Sequence, residues 1–151
     1  WKKLRKSTLK NADFTCRFCG IRSEKWMVCD HIDGDASNNS PDNLGINCPI
    51  CDLLRHCGRA GIYGQLSVWT SDLSQVEIVT LTQQYWIEHG RIPKPNEIDS
   101  KAIRWSRSSV EFANILLTSN YSELGALELQ CRGFFEEEAA SAFNKVLPTK
   151  N

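Results

Sequence analysis

The sequence predicts an α+β protein: a small zinc-held ββα unit at the N-terminal end, with additional helices packed around it. Three observations predict it. Four cysteines fall in two identical pairs, Cys16-Arg17-Phe18-Cys19 and Cys48-Pro49-Ile50-Cys51. Two such pairs supply the four thiolates of a closed tetrahedral zinc site. Two short apolar runs, at 26–29 and 44–47, flank a stretch crowded with Gly, Asp, Asn, Ser and Pro, which reads as strand, loop, strand. Beyond residue 74 the apolar residues recur at helical spacing.

Each element follows in order. Residues 1–10 read as the end of a helix, with Leu4 and Leu9 as its apolar contacts. Phe14-Thr15-Cys16 leads into the first cysteine knuckle, and Gly20 after Cys19 supplies the left-handed residue that closes such a turn. Trp26 to Cys29 is the first strand, 33–43 the loop and Leu44 to Asn47 the second strand. From Asp52 a helix runs through Leu53, Leu54 and His56 to a stop at Gly58 or Gly61. Gln65 to Trp69 alternates and reads as a strand. Ser74-Gln75-Val76-Glu77 has the form of a capping box. The helix behind it carries Ile78, Leu81 and Tyr85 on one stripe and Val79 and Trp86 on the next. Gly90 ends it, and Pro93 and Pro95 forbid its continuation. Further helices are expected over about 100–117 and 134–147. The zinc module then spans 1–60, and the strand with its helical extension spans 61–151. The two are expected to pack as one folding unit, with 58–64 as the hinge.

Composition narrows the function classes. The chain has 151 residues and starts at Trp1 rather than Met, so it is expected to be part of a longer chain. Fourteen aromatic residues give it ample surface to bury, which excludes a disordered chain. No apolar run approaches the ~18 residues of a membrane span. Eighteen basic and eighteen acidic groups cancel, which argues against a surface wholly given to nucleic acid. The charge is nevertheless segregated: residues 1–25 carry a net of +6. That basic start can face phosphates or simply be the solvated side of a helix. Seven cysteines leave one over from any complete disulfide set. Thiolate ligation of a metal instead fits a reducing compartment. Cys29, Cys57 and Cys131 are expected to be ordinary small buried residues.

The chemistry lies in Asp30-His31-Ile32-Asp33-Gly34-Asp35-Ala36-Ser37-Asn38-Asn39-Ser40-Pro41-Asp42-Asn43-Leu44 and the cysteine pair behind it. Here the sequence resembles the HNH, or ββα-metal, endonuclease family over roughly residues 5–57. Phosphodiester hydrolysis needs a base to activate water, which His31 supplies near neutral pH. It also needs a divalent cation on the leaving oxygen, for which Asp30 is a ligand. The resemblance implies that an asparagine orders the loop and orients the histidine; Asn43 matches best, then Asn39. It also implies a histidine directly after the second cysteine pair. This chain has Asp52 there, a competent ligand for a hard cation, with His56 one turn further on. A second divalent metal, Mg²⁺ or another, is thus a possibility at Asp30, Asp52 and His56, beside structural Zn²⁺ on Cys16, Cys19, Cys48 and Cys51. The same polar residues serve equally well as loop caps that only bond the backbone.

A second resemblance covers nearly the whole chain. Gly61-Ile62-Tyr63-Gly64-Gln65-Leu66-Ser67-Val68-Trp69, then Leu73-Ser74-Gln75-Val76-Glu77-Ile78, then Arg104-Trp105-Ser106-Arg107-Ser108 are similar to the IcmJ/DotN family of the Dot/Icm type IVB secretion system and its conjugative relatives. That resemblance implies a cytoplasmic subunit, peripheral to an inner-membrane complex and not inserted in the membrane. It implies binding to the C-terminal extension of a membrane-anchored, DotL-like coupling ATPase and to other coupling-complex subunits, with the HNH fold as scaffold and the zinc structural. Trp69, Trp86, Trp105 and Phe112 are the expected anchors for a partner helix. The alternative is a working metal-dependent endonuclease with His31 as general base and Asn43 beside it. A third reading is a zinc module that binds nucleic acid without cutting it.

Overall fold

A computed structural model describes residues 1–105 and 130–149. Helix α1 (Lys2–Asn11) leads into the first knuckle, which a Thr15–Arg22 bridge closes. Strands β1 (Val28–His31) and β2 (Leu44–Asn47) then form an antiparallel hairpin in which Asp30 faces Gly45 and His31 faces Leu44. Helix α2 (Pro49–Arg55) follows at once. The first strand lies two residues later than its hydrophobicity predicts. Trp26 adopts a left-handed conformation, φ 69°, and is 59% exposed, so the chain is still turning there. Helix α2 starts earlier than expected, at Pro49, because the Cys48 sulfur accepts the Cys51 N–H and caps it. It breaks at His56 (φ −115°, ψ 52°). The chain resumes as α3 (Cys57–Ile62), which runs through Gly58 rather than stopping there.

The C-terminal half differs more. A second antiparallel sheet, ordered β4-β3-β5, is built from β3 (Leu66–Thr70), β4 (Ile103–Arg104) and β5 (Cys131–Phe135). Helix α4 (Gln75–His89) and the short α5 (Pro95–Ile98) come between β3 and β4. A 3₁₀ turn, Glu137–Ala139, and α6 (Ala140–Val146) follow β5. The helix expected over 134–147 therefore starts late: its first two residues are strand and the α-helix begins at Ala140. Phe134 and Phe135 pair with Ser67 and Leu66. The Gln75 amide brackets Gly133, donating to its carbonyl at 2.8 Å and accepting its N–H at 2.7 Å. The helix expected from about 100 does not begin there: Ile103 and Arg104 pair with Thr70 and Trp69. Its residues 106–117, Phe112 among them, lie outside the described residues.

The predicted capping box is present on α4. Ser74 accepts the Glu77 N–H, Glu77 accepts the Ser74 N–H, and Gly90 closes the helix in the left-handed conformation. Ser74→Ala is expected to lower stability by ~1 kcal/mol, read as a shifted midpoint in urea unfolding with an unchanged slope. The buried face of α4 is Gln75, Ile78, Val79, Thr82 and Trp86, whereas Leu81 is exposed. Thr82 substitutes for an apolar residue because its hydroxyl bonds the Ile78 carbonyl.

The main core joins both halves of the chain. It contains Leu9, Met27, Ile46, Ile50 and Leu54 together with Val68, Val79, Trp86, Phe135 and Phe143, and it surrounds Cys16, Cys48 and Cys51. A smaller cluster of Ile78, Ala102 and Phe134 lies under Trp69. Of the three candidate anchors among the described residues, one is buried and two are half-buried. Trp86 is buried, Trp69 packs on Phe134 and Trp105 packs against the main core.

Candidate metal centre and the adjoining carboxylate cluster

The first knuckle and the start of α2 bring Cys16, Cys19, Cys48 and Cys51 together, with all four sulfurs within 4.8 Å of one another. A tetrahedral ion with Zn–S bonds of about 2.3 Å has S···S edges of about 3.8 Å. The Cys19–Cys48 sulfurs are 3.7 Å apart, so the cage fits zinc. It is the only group of three or more metal-ligating side chains gathered this closely among the described residues. Cys16, Cys48 and Cys51 are each no more than 2% exposed. The sulfurs also receive N–H donors, as metal thiolates require. The Cys51 amide donates to the Cys48 sulfur at 3.4 Å. The Gln83 side chain on α4 donates to the Cys19 sulfur at 3.4 Å, across 64 residues of sequence. Without an ion, four thiols this close cannot all ionise. Hydrogen bonds from Cys19, Cys48 and Cys51 pull the Cys16 thiol far down, while the contacts with Cys16, Cys19 and Cys48 push Cys51 far up. A divalent ion replaces the retained protons and releases them on binding. Of the remaining cysteines, Cys57 and Cys131 are buried as expected, and Cys29 is half-buried.

The polar loop between β1 and β2 is held by its own side chains. Asn43 accepts the Asp33 N–H at 3.0 Å and donates to the Asp33 carboxylate and the Asn38 carbonyl, both at 2.9 Å. Hydrogen bonds from Asn38, the Asp35 amide and Asn43 hold the Asp33 carboxyl below its ordinary range, and Ser37 does the same for Asp35. Asn43 therefore orders the loop, while contact with the histidine falls to Asn39. The His31 Nε2 lies 2.9 Å from the Asn39 Oδ1, and its ring stacks on Trp1 at 5.1 Å.

Behind the loop lies a cluster that charge counting alone does not reveal. Asp30 on β1 is 8% exposed. Its Oδ2 receives Arg55 Nε at 2.8 Å, Arg17 Nη2 at 3.3 Å and Asn47 Nδ2 at 3.4 Å. Its Oδ1 faces His56 Nε2 at 3.8 Å, and His56 Nε2 is 3.6 Å from Asp52 Oδ1. Asn47 is fully buried and also reaches Asp52 at 3.4 Å. Burial pushes the Asp52 carboxyl up, against the pull of His56. His56 thus stands between Asp30 and Asp52, and the three are not gathered as closely as the four cysteines. Arg17, Asn47 and Arg55 are the members that sequence reasoning missed. The available signal was position: Arg17 sits inside a knuckle, and Asn47 immediately precedes Cys48. Beside the cluster a cleft of about 230 Å³ is lined by Asp52, Leu53, His56, Arg59, Tyr63 and Gln65.

No helix among the described residues is long and apolar enough to cross a membrane. No protein-family model matches the sequence, and no curated protein matches it. The residues themselves carry the comparison: a mixed α+β chain with small antiparallel sheets and a four-cysteine cage suited to zinc.

Proposed function

We propose that this chain is a zinc-stabilised, HNH-like adaptor of a type IVB secretion or conjugation coupling complex. It binds the C-terminal extension of the membrane-anchored coupling ATPase and does not cut DNA. The scaffold part of the reading rests on the cysteine cage, which lies in the core shared by both halves of the chain. Four protein sulfurs fill a zinc ion's coordination sphere and leave no open position for water or substrate. The metal there is a fastener for a scaffold. The reading that it does not cut rests on one position: Asp52, on α2, stands where the family has its second histidine. The partner itself rests on the resemblance of the 61–78 and 104–108 segments.

A second reading has its own support. The placement of His56 between Asp30 and Asp52 favours a metal-dependent endonuclease with Mg²⁺ or a similar ion at that cluster and His31 as base. Co-expression with the C-terminal extension of the coupling ATPase tests the first reading. The adaptor elutes with that segment as one complex in size-exclusion chromatography, and His31→Ala elutes likewise. Two separate peaks from well-folded components contradict it.

A further inference from the structure

We propose that Arg17 and Arg55 are the resident cations of the carboxylate cluster. Their guanidinium groups hold Oδ2 of Asp30, the carboxylate that a divalent ion would need, and they cross-link the strand and helix in its place. The inference rests on reading the ββα unit as an altered nuclease scaffold.

A carboxylate as buried as Asp30 needs positive charge beside it. Arg55 and Arg17 supply it, both on Oδ2. Arg55 does more than neutralise. Its Nη2 continues to the carbonyls of His31 and Ile32, each at 3.1 Å. One side chain of α2 thereby fastens the end of β1, the same join that an ion shared by Asp30 and α2 would make. Arg17 arrives from the cysteine knuckle and donates its Nε to Asn47 Oδ1 at 2.8 Å on the way. It passes over Gly45 in β2, where a Cβ would lie 2.8 Å from both its Cδ and its Nε. A glycine inside a strand weakens it and marks the close approach of another group; here that group is the arginine. Oδ1 of Asp30 is the oxygen the arginines leave open, with His56 Nε2 3.8 Å away and Asp52 beyond it. An ion placed on it would stand against two guanidinium charges on the same carboxylate.

The test uses the zinc-loaded chain with Mn²⁺ as probe, followed by calorimetry and electron paramagnetic resonance. The wild type takes up no second ion at millimolar Mn²⁺. Arg17→Gln/Arg55→Gln keeps hydrogen-bond donors but removes both charges, and gains at least about tenfold in Mn²⁺ affinity. Adding Asp30→Asn abolishes the gain. Gly45→Ala displaces Arg17 while leaving every charge in the chain, and shows a smaller gain of the same kind. It also decides the matter where the double variant fails to fold. Wild-type Mn²⁺ binding through Asp30 overturns the proposal, as does a folded Gly45→Ala and a folded arginine variant without any gain. Plasmid nicking by the wild type is a separate readout: it sinks the scaffold reading, whereas unchanged Mn²⁺ affinity sinks only the arginine assignment.

Discussion

Cys51→Ser is expected to leave the purified chain without zinc and without a cooperative unfolding transition. Cys51 is fully buried at the start of α2, and its sulfur is one of the four that join the first knuckle to the second. Structural zinc contributes roughly 10–16 kcal/mol of binding free energy at neutral pH in small zinc-finger peptides. The whole net stability of a domain is about 5–15 kcal/mol. Losing one ligand forfeits much of the first quantity and leaves three sulfurs facing each other in the core. Elemental analysis together with near-ultraviolet circular dichroism checks this. Stoichiometric wild-type zinc and an unchanged melting curve in the variant would contradict it. Chelation of the wild type should reproduce the phenotype. Acid should do so as well, because protons compete with the ion for the same thiolates.

Phe143→Ala is expected to cost about 3–5 kcal/mol, as deletion of a fully buried aromatic side chain does. Phe143 on α6 is completely buried. It meets Phe135 edge-on at 5.1 Å and Trp86 at 5.7 Å, so one side chain holds α6, β5 and α4 together. The same cluster includes three of the four clustered cysteines. The cavity opens in the core that also holds the cage, and zinc should exchange faster to a chromogenic chelator in the variant. Chemical denaturation supplies the stability, and a loss below about 1 kcal/mol would mean that the three elements are not packed on this residue.

The parts of the fold that were legible in the sequence are those fixed by local chemistry. The cysteine spacing carries its own geometry, and the Ser74–Glu77 box and Gly90 fix both ends of α4 from residues within one turn. Strand β2, Leu44–Asn47, falls where its apolar run places it. The larger misreadings, in the C-terminal half, trace to distant partners. Phe134 and Phe135 precede an alanine-rich stretch and look helical, yet their place in β5 is set by β3 and by the Gln75 amide, some 58 residues away. Leu81 looks like a core residue on a helical wheel, but the packing side of α4 is centred on Ile78, Val79 and Thr82. In the site, the cysteine cluster follows from spacing. The arginines do not: a basic side chain in a polar sequence looks solvated until a buried carboxylate is found beside it. Asn43 and Asn39 were both named for the histidine, and only the structure divides them between ordering the loop and touching the ring.

The reading of a reused scaffold is tested most directly by supercoiled plasmid incubated with the zinc-loaded wild type and with His31→Ala across Mg²⁺, Mn²⁺ and Ni²⁺. The account predicts that neither protein nicks the plasmid with any of the three ions, and that both melt at the same temperature to within a few degrees. Nicking by the wild type that His31→Ala abolishes would contradict it, and would make His31 the base of a working endonuclease.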